Sequence, residues 1–450
     1  MSRGSDRLDI AVIGTGIAGM SAAWLLSQRH QVTVYEQAGR LGGHSNTISV
    51  PAGGATLPVD MGFIVYNEAT YPNLSALFRH LGVATRASDM SLAVSLDDGA
   101  LEYAGTDLLG LFAQKRNLFR PRFWLMLRDL LRFYREAPGD PLAFQSELTT
   151  LGDYLRARGY GAAFIEDHLL PMAAAIWSTP CNRVMEHPAA SFVRFCDNHG
   201  LLQLRDRPIW RTVQGGSRAY VQRLTERYAE RVRLGQGVRK LRRGLAGVHL
   251  WDAAGHEHRH DHVVIAAHAD DALAMLADPS AAELRLLSAL TYGDNLAVMH
   301  CDSRLMPRRR RAWSSWNYIG SRGSDELSVT YWMNRLQGFA TPEPVLVTLN
   351  PLLEPAPETV IHREHYRHPV LDAGAIRVQR ALWSLQGERR TWFCGAYFGA
   401  GFHEDGLQAG LAVAEALGGL RRPWRVPEES GRIHLPGPLA LEGPLGEAAA

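Results

Sequence analysis

Apolar and polar positions change their spacing several times along this chain, and each change predicts an element. Ile10 to Ile13 form a short apolar run, as in a buried strand. A glycine turn follows, then a helix, and Gln31 to Tyr35 make a second strand. Glu68 to Gly82 moves to helical spacing, with Leu74, Leu77, Phe78 and Leu81 on one face of a helix entered through Pro72. Met90 to Tyr103 alternates around Asp97, Asp98 and Gly99, which predicts a hairpin. From Leu108 to Arg135 one helix face carries Phe123, Leu127, Leu130 and Tyr134, and another carries Arg128, Arg132 and Arg135. SSWNY and TYWMNRL alternate like strands of an antiparallel sheet.

The turn after the first strand reads G-x-G-x-x-G through Gly14, Gly16 and Gly19. Gly14 suits a tight turn, Gly16 lets backbone approach a pyrophosphate, and Gly19 lets helix and sheet pack closely. The helix opening at Ile17 and Ala18 points free N–H groups and its positive end at phosphate. Glu36 ends the second strand, where a carboxylate can accept both hydroxyls of an adenosine ribose. Together these features predict a dinucleotide site. After Glu36 and Gln37 come Arg40, Gly42, Gly43 and His44, and then Asp60, Gly62 and Phe63. An arginine and a glycine pair there suit a chain that continues along the pyrophosphate toward a flavin.

This stretch resembles the flavin-containing amine oxidase superfamily, which includes monoamine oxidases, protoporphyrinogen oxidase and phytoene desaturases. Its E-x-x-x-R-x-G-G element is matched by Glu36, Arg40, Gly42 and Gly43; His44 stands where the pattern often has Arg or Lys. The resemblance continues in TVQGGSRAYV and the strand near Val238, whose backbone would contact adenine. It continues in HVVIAAHADDAL, which includes Ala266, and in WFCGAYFGAGFHEDGLQAGLAVAE near the C-terminus. It implies non-covalent FAD, with Gly395, Phe402, His403 and Glu404 leading into a helix whose first turn faces the flavin. At whole-chain level the sequence resembles a bacterial subgroup of predicted NAD/FAD-binding proteins, encoded beside cyclopropane-fatty-acyl-phospholipid synthases and lipid methyltransferases. That implies a long acyl chain as substrate and such a synthase or methyltransferase as partner.

Composition adds limits. The 450 residues hold 46% hydrophobic and 21% charged residues, ordinary for a globular chain expected to form two domains. A formal net charge of +2 and the lack of a recognition motif argue against nucleic acid. Cys181, Cys196, Cys301 and Cys394 lack C-x-x-C spacing, so neither zinc nor a disulfide framework is expected, and Cys394 does not sit where a covalent flavin cysteine would. The polar start leads straight into a strand, and no apolar run is long enough to span a bilayer, so the expected location is cytoplasmic, with peripheral placement on the inner membrane face as an addition. Lys115 and Lys240 are the only lysines, and neither falls in Tyr292 to Trp383, where amine oxidases of the superfamily keep one that holds water at flavin N5.

The expected fold class is α/β: a discontinuous Rossmann-like FAD-binding domain from residues 1–75, 205–285 and 385–425, with a mixed-sheet and helical substrate domain from 76–204 and 286–384. Residues 426–450 are expected to be a poorly ordered tail. The expected function is hydride abstraction, as desaturation or dehydrogenation, on an acyl chain of a modified fatty acid or phospholipid. Oxidation of a small amine or amino acid, and a non-catalytic flavin-bearing partner of a lipid methyltransferase, remain alternatives. His403, Tyr397 and Tyr331 are the catalytic candidates; Trp177, Ser178, Asn198, His199, Trp316, Asn317, Tyr318, Trp332 and Asn334 are candidate wall residues. The basic-aromatic segment Lys115 to Arg135 reads either as an ordinary amphipathic helix packed on its own domain with a solvated arginine face, or as a membrane-interface helix with Phe119, Phe123, Trp124 and Leu127 inserting. The run at Pro307 to Arg311 reads as a solvated loop.

Overall fold

A computed structural model describes residues 7–52, 54–146, 149–177, 181–324 and 326–436. Its centre is a parallel five-stranded sheet in the order Val232–Arg233, Gln31–Tyr35, Asp9–Ile13, His262–Ile265 and Thr391–Phe393. The strands come from separated stretches of chain, yet all run the same way. Ile10 to Ile13 and Val263 to Ile265 are buried, as expected for a parallel sheet covered on both faces. The helix Ile17–Leu26 is buried along its whole length, clasped between this sheet and the C-terminal helix His403–Gly418. The two helices touch closely because Gly410 has no side chain; a Cβ there would strike Ala18 O and Ser21 Oγ.

A second, seven-stranded sheet runs Val360–Val370, Thr291–His300, Leu346–Leu349, Leu327–Trp332, Trp316–Gly320, Leu92–Leu96 and Leu101–Ala104. It is mixed: Trp316–Gly320 pairs parallel to Leu92–Leu96, and the other pairs are antiparallel. Asp97, Asp98 and Gly99 all take positive φ in the turn between the last two strands, so the expected hairpin forms there. A helical region, including Pro121–Glu136, Leu170–Trp177 and Ala189–Asn198, packs through its own aromatic core around Phe133, Tyr154, Phe164 and Phe192.

Three local expectations are corrected. Val238 begins the antiparallel strand Val238–Gly244, and the strand joining the central sheet is the short Val232–Arg233. The long basic segment divides into a turn at Leu108–Leu111, a 3-10 turn at Lys115–Phe119 and the helix Pro121–Glu136. In that helix Phe123, Met126, Leu130 and Phe133 face inward, so Phe123 is core and Leu127 is half-buried; Arg128 pairs with Asp129, and Arg132 and Arg135 both reach Glu136. Residues 427–436 pack back on the cofactor side, where Ile433 is buried and Arg432 N–H donates to Gln408; 437–450 lie outside the described residues. Among the described residues no helix is long and apolar enough to cross a membrane.

Candidate active site

The glycine turn is built by backbone. Gly14 sits at φ +97°, and a Cβ there would lie 2.7 Å from Ala266 O. A Cβ on Gly19 would collide with Gly14 O, so the helix can start this close to the strand only with glycine. The loop after the second strand folds back onto this turn: Gly42 N–H donates to Thr15 O and Thr15 Oγ1, both at 3.2 Å, and Arg40 donates to Gly43 O at 2.7 Å. Glu36 accepts the Thr15 N–H at 2.9 Å and the Ala38 N–H at 2.9 Å, which sets its carboxylate on the rim beside Gln37. Arg40 also pairs with Glu364 at 3.6 Å, and Asn46 Nδ2 donates to both Glu364 and Tyr366 at 3.1 Å. The cofactor-side loop is therefore fastened to the second sheet.

From this turn a cavity of about 390 Å³ runs between the two sheets. Gly16, Ile17, Ala18, Ala266, Gly395 and Gly406 line one end. Its middle is lined by His44, Gly62, Phe63, Tyr397, Phe402 and His403, and its far end by Met90, Leu92, Met172, Ile176, Trp177, Phe195, Trp316 and Tyr331. His403 stacks on Phe63 with ring centroids 3.8 Å apart, and its Nε2 lies 2.7 Å from Tyr220 Oη and 3.1 Å from Ser45 Oγ. Desolvation pushes its pKa down to about 3, so the ring is neutral and hydrogen-bonds to both hydroxyls, as donor or acceptor according to its tautomer. His199 and His368 are held near 4, each by burial first. His44 stacks on Tyr366 at 4.9 Å and is lowered by burial, then by His368.

Several of these polar groups lack protein partners. Among the described residues His44 Nε2, His199 Nε2, Trp316 Nε1 and Tyr397 Oη are buried without a hydrogen bond, and all four residues line the cavity. Buried polar atoms left unpaired cost free energy, so a cavity lined by them is suited to a ligand with its own donors and acceptors. A family model described as flavin containing amine oxidoreductase matches residues 17–417. The chain belongs to that family. No curated protein matches the sequence. Solved structures share the fold at low identity. Putrescine oxidase bound to putrescine is 15% identical, with a TM-score of 0.63 over 91% of this chain and 99% of that one. Cyclohexylamine oxidase from Brevibacterium oxydans IH-35A is 17% identical, with 0.62 over 91% and 99%. The CLA-producing fatty acid isomerase from P. acnes is 15% identical, with 0.64 over 92% and 98%.

The protein is an FAD-dependent oxidoreductase of this family, and its residues fit the cofactor. Gly16 leaves open space where a side chain would stand, at a helix N-terminus suited to a pyrophosphate. Glu36 and Gln37 would hold the adenosine half, and His44 Nε2 and Tyr397 Oη, buried without a partner, would be available to the flavin. The bound flavin supplies hydride acceptance at N5; the chain around it supplies an apolar, water-excluding wall and neutral hydrogen-bonding rings.

Two cofactor-binding expectations acquire other tasks. The Asp60 carboxylate accepts from Thr47, Ser217 and Gln337, tying the end of the strand Ala55–Asp60 to the later Gly216–Ser217 turn; burial raises its pKa to about 6. Glu404 accepts from Asn73 N at 3.0 Å and Leu74 N at 2.9 Å, so its carboxylate caps the helix Pro72–His80. Val238 is paired with Asp252 in its own sheet, and the preceding Gly237 packs against Gln37. Among the wall candidates, Trp177, His199 and Trp316 line the cavity, as do the catalytic candidates Tyr331, Tyr397 and His403. Asn198 is exposed, Asn317 and Asn334 hold local backbone, Tyr318 is core, and Trp332 packs on Trp313. Ser178 lies outside the described residues.

Sequence reasoning missed Tyr292, Tyr366, Arg367 and His368, which also line the cavity. The period-two run Glu364, Tyr366, His368 was the available signal, because alternate residues of a strand share a face.

Proposed function

We propose that this flavoenzyme removes hydrogen from a carbon of a long acyl chain, as a desaturase or dehydrogenase of a modified fatty acid or phospholipid. One observation carries the reading: among the described residues, no acidic side chain and no lysine lines the cavity. A cationic amine entering it would find no counter-ion, and a buried unpaired ammonium is strongly disfavoured. Among the described residues the permanent charge in the wall is Arg367, which is engaged by Asp270 and Asp271. Methionine, leucine, isoleucine and aromatic side chains at the far end instead suit methylenes. The fatty acid isomerase that shares the fold acts on a substrate of that kind, which supports the class of substrate without identifying the reaction. A lipid methyltransferase or cyclopropane synthase is the proposed partner, since either would supply a modified acyl chain.

Anaerobic flavin bleaching tests the proposal. Lipid extract from cells expressing a cyclopropane synthase should reduce the flavin, and a panel of small amines should not. Bleaching by the amines alone would establish the amine oxidase instead, and bleaching by neither would leave a non-catalytic flavin-bearing partner.

A further inference from the structure

The segments Leu108–Arg135 and Pro307–Trp313 are far apart in sequence, but folded they form one surface. The turn Leu108–Leu111 packs against the turn Arg310–Ala312. Both segments clasp the same hairpin turn: Arg116 and Arg120 donate to Ala100 O at 2.8 and 2.7 Å, and Arg309 donates to Gly99 O at 3.3 Å. On this surface Leu108 is 73% exposed, Leu109 68%, Phe119 86% and Trp124 49%. These side chains are linked, since Trp124 Nε1 donates to Leu118 O at 2.9 Å and its ring lies 5.8 Å from Phe112, which follows the Leu108 turn. A linked set of large exposed apolar side chains marks an interaction surface, whereas scattered ones would not.

Charge identifies the occupant. Among the described residues Lys115, Arg116, Arg310 and Arg311 are exposed and form no ion pair, whereas the arginines farther along the helix are neutralised by Asp129 and Glu136. The free cations thus gather around the exposed leucines and aromatics. We infer that this surface docks on an anionic phospholipid bilayer, with Leu108, Leu109, Phe119 and Trp124 entering the acyl boundary and the four cations meeting headgroups. A second copy of the chain would bring like charges face to face. The inward side of the same segment reaches the active site: Phe123 and Met126 share an apolar cluster with the cavity residues Met61 and Tyr331. The docking rests on this surface alone and stands whatever the substrate proves to be.

Sedimentation of the full-length flavoprotein with vesicles decides it. The protein should pellet with phosphatidylcholine vesicles that contain phosphatidylglycerol, stay in solution with phosphatidylcholine alone, and be released by salt. Each cation contributes about fivefold to partitioning, so Arg310→Gln with Arg311→Gln should weaken binding about 25-fold, and Lys115→Gln with Arg116→Gln by a similar factor. Phe119→Ser with Trp124→Ser should abolish binding while leaving flavin content unchanged. Absence of the wild type from anionic vesicles at low salt would overturn the inference. So would full binding by the Arg310/Arg311 variant, or a dimer in solution that these substitutions dissociate.

Discussion

The two ends of the cavity are made of different material. The cofactor end is backbone: Gly14, Gly19, Gly42 and Gly43 bring main chain to main chain, and Thr15 and Ala38 N–H groups are gathered on Glu36. The substrate end is side chain: Leu92 from one strand and Met90 just before it, Met172 to Trp177 from a helix, Phe195 from another with His199 at its C-terminal cap, Trp316 and Tyr331 from two more strands. A backbone-built site accepts almost one residue type at each position, because space or φ excludes the rest. A side-chain-built site needs only a filled apolar volume, which many combinations supply. The first end should therefore be brittle to substitution and the second tolerant.

The largest contrast comes from paired substitutions. Gly19→Val drives a branched side chain into Gly14 O and against Ala266 Cβ, where backbone cannot yield. It should cost about 3 kcal/mol or more and give colourless or insoluble protein. Leu92→Val at the other end removes one methylene from the cavity wall and should cost no more than about 1.5 kcal/mol, with flavin bound at full stoichiometry. Flavin absorbance per chain and thermal midpoints measure both. Equal losses in the two variants would break the comparison.

The same difference explains what could be read from the sequence. The strand–turn–helix–strand from Asp9 to Glu36 is local, and its spacing is set by backbone sterics, so the elements form where that spacing places them. The helix Pro72–His80 and the hairpin at Asp97–Gly99 were legible for the same reason. Asp60 and Glu404 were assigned to the flavin from their position in the pattern, but position does not report hydrogen-bond partners; both carboxylates turn to distant backbone and side-chain donors. The far cavity wall draws on segments hundreds of residues apart. No local period marks which face of the helix Leu170–Trp177 or of the strand Leu327–Trp332 meets the others. The inward turn of Phe123 was hidden likewise, because one helix carried apolar residues on more than one side and only tertiary packing chose among them.

A smaller effect sharpens the comparison at the cofactor end. Glu36 is a side chain within the backbone-built region, and its carboxylate organises two loop N–H groups at the end of the second strand. Glu36→Ala should weaken FAD binding by roughly 1–3 kcal/mol without unfolding the protein. Fluorescence titration of the deflavinated protein reads the change directly. An unchanged dissociation constant would mean that the glycines alone hold the adenosine half.

The smallest effect lies in the neutral histidines where the two ends meet. His368 is held near a pKa of 4 by burial and by His268, against an unfolded value near 6.5, and its Nδ1 lies 3.0 Å from Asn295 Nδ2. Because the folded pKa is the lower one, the unfolded chain binds the extra proton. The stability linked to this ring is complete above pH 6.5 and is lost as pH falls toward 4. His199 and His403 act in the same direction. Asp60 acts oppositely, since its pKa is raised to about 6 and folding is favoured as that carboxyl takes up its proton. The depressed histidines, with His44, His168, His187 and His300 among them, outnumber the raised carboxyls Asp60, Glu404 and Asp405, so the thermal midpoint should drop between pH 8 and pH 6. His368→Gln keeps a partner for Asn295 but cannot titrate, and it should shrink that drop by no more than about 0.8 kcal/mol, the share of one such ring at pH 6. Chemical denaturation at the two pH values measures the difference. A variant whose pH dependence equals that of the wild type would show that the cavity already admits enough water at its midpoint to leave this ring near its ordinary pKa.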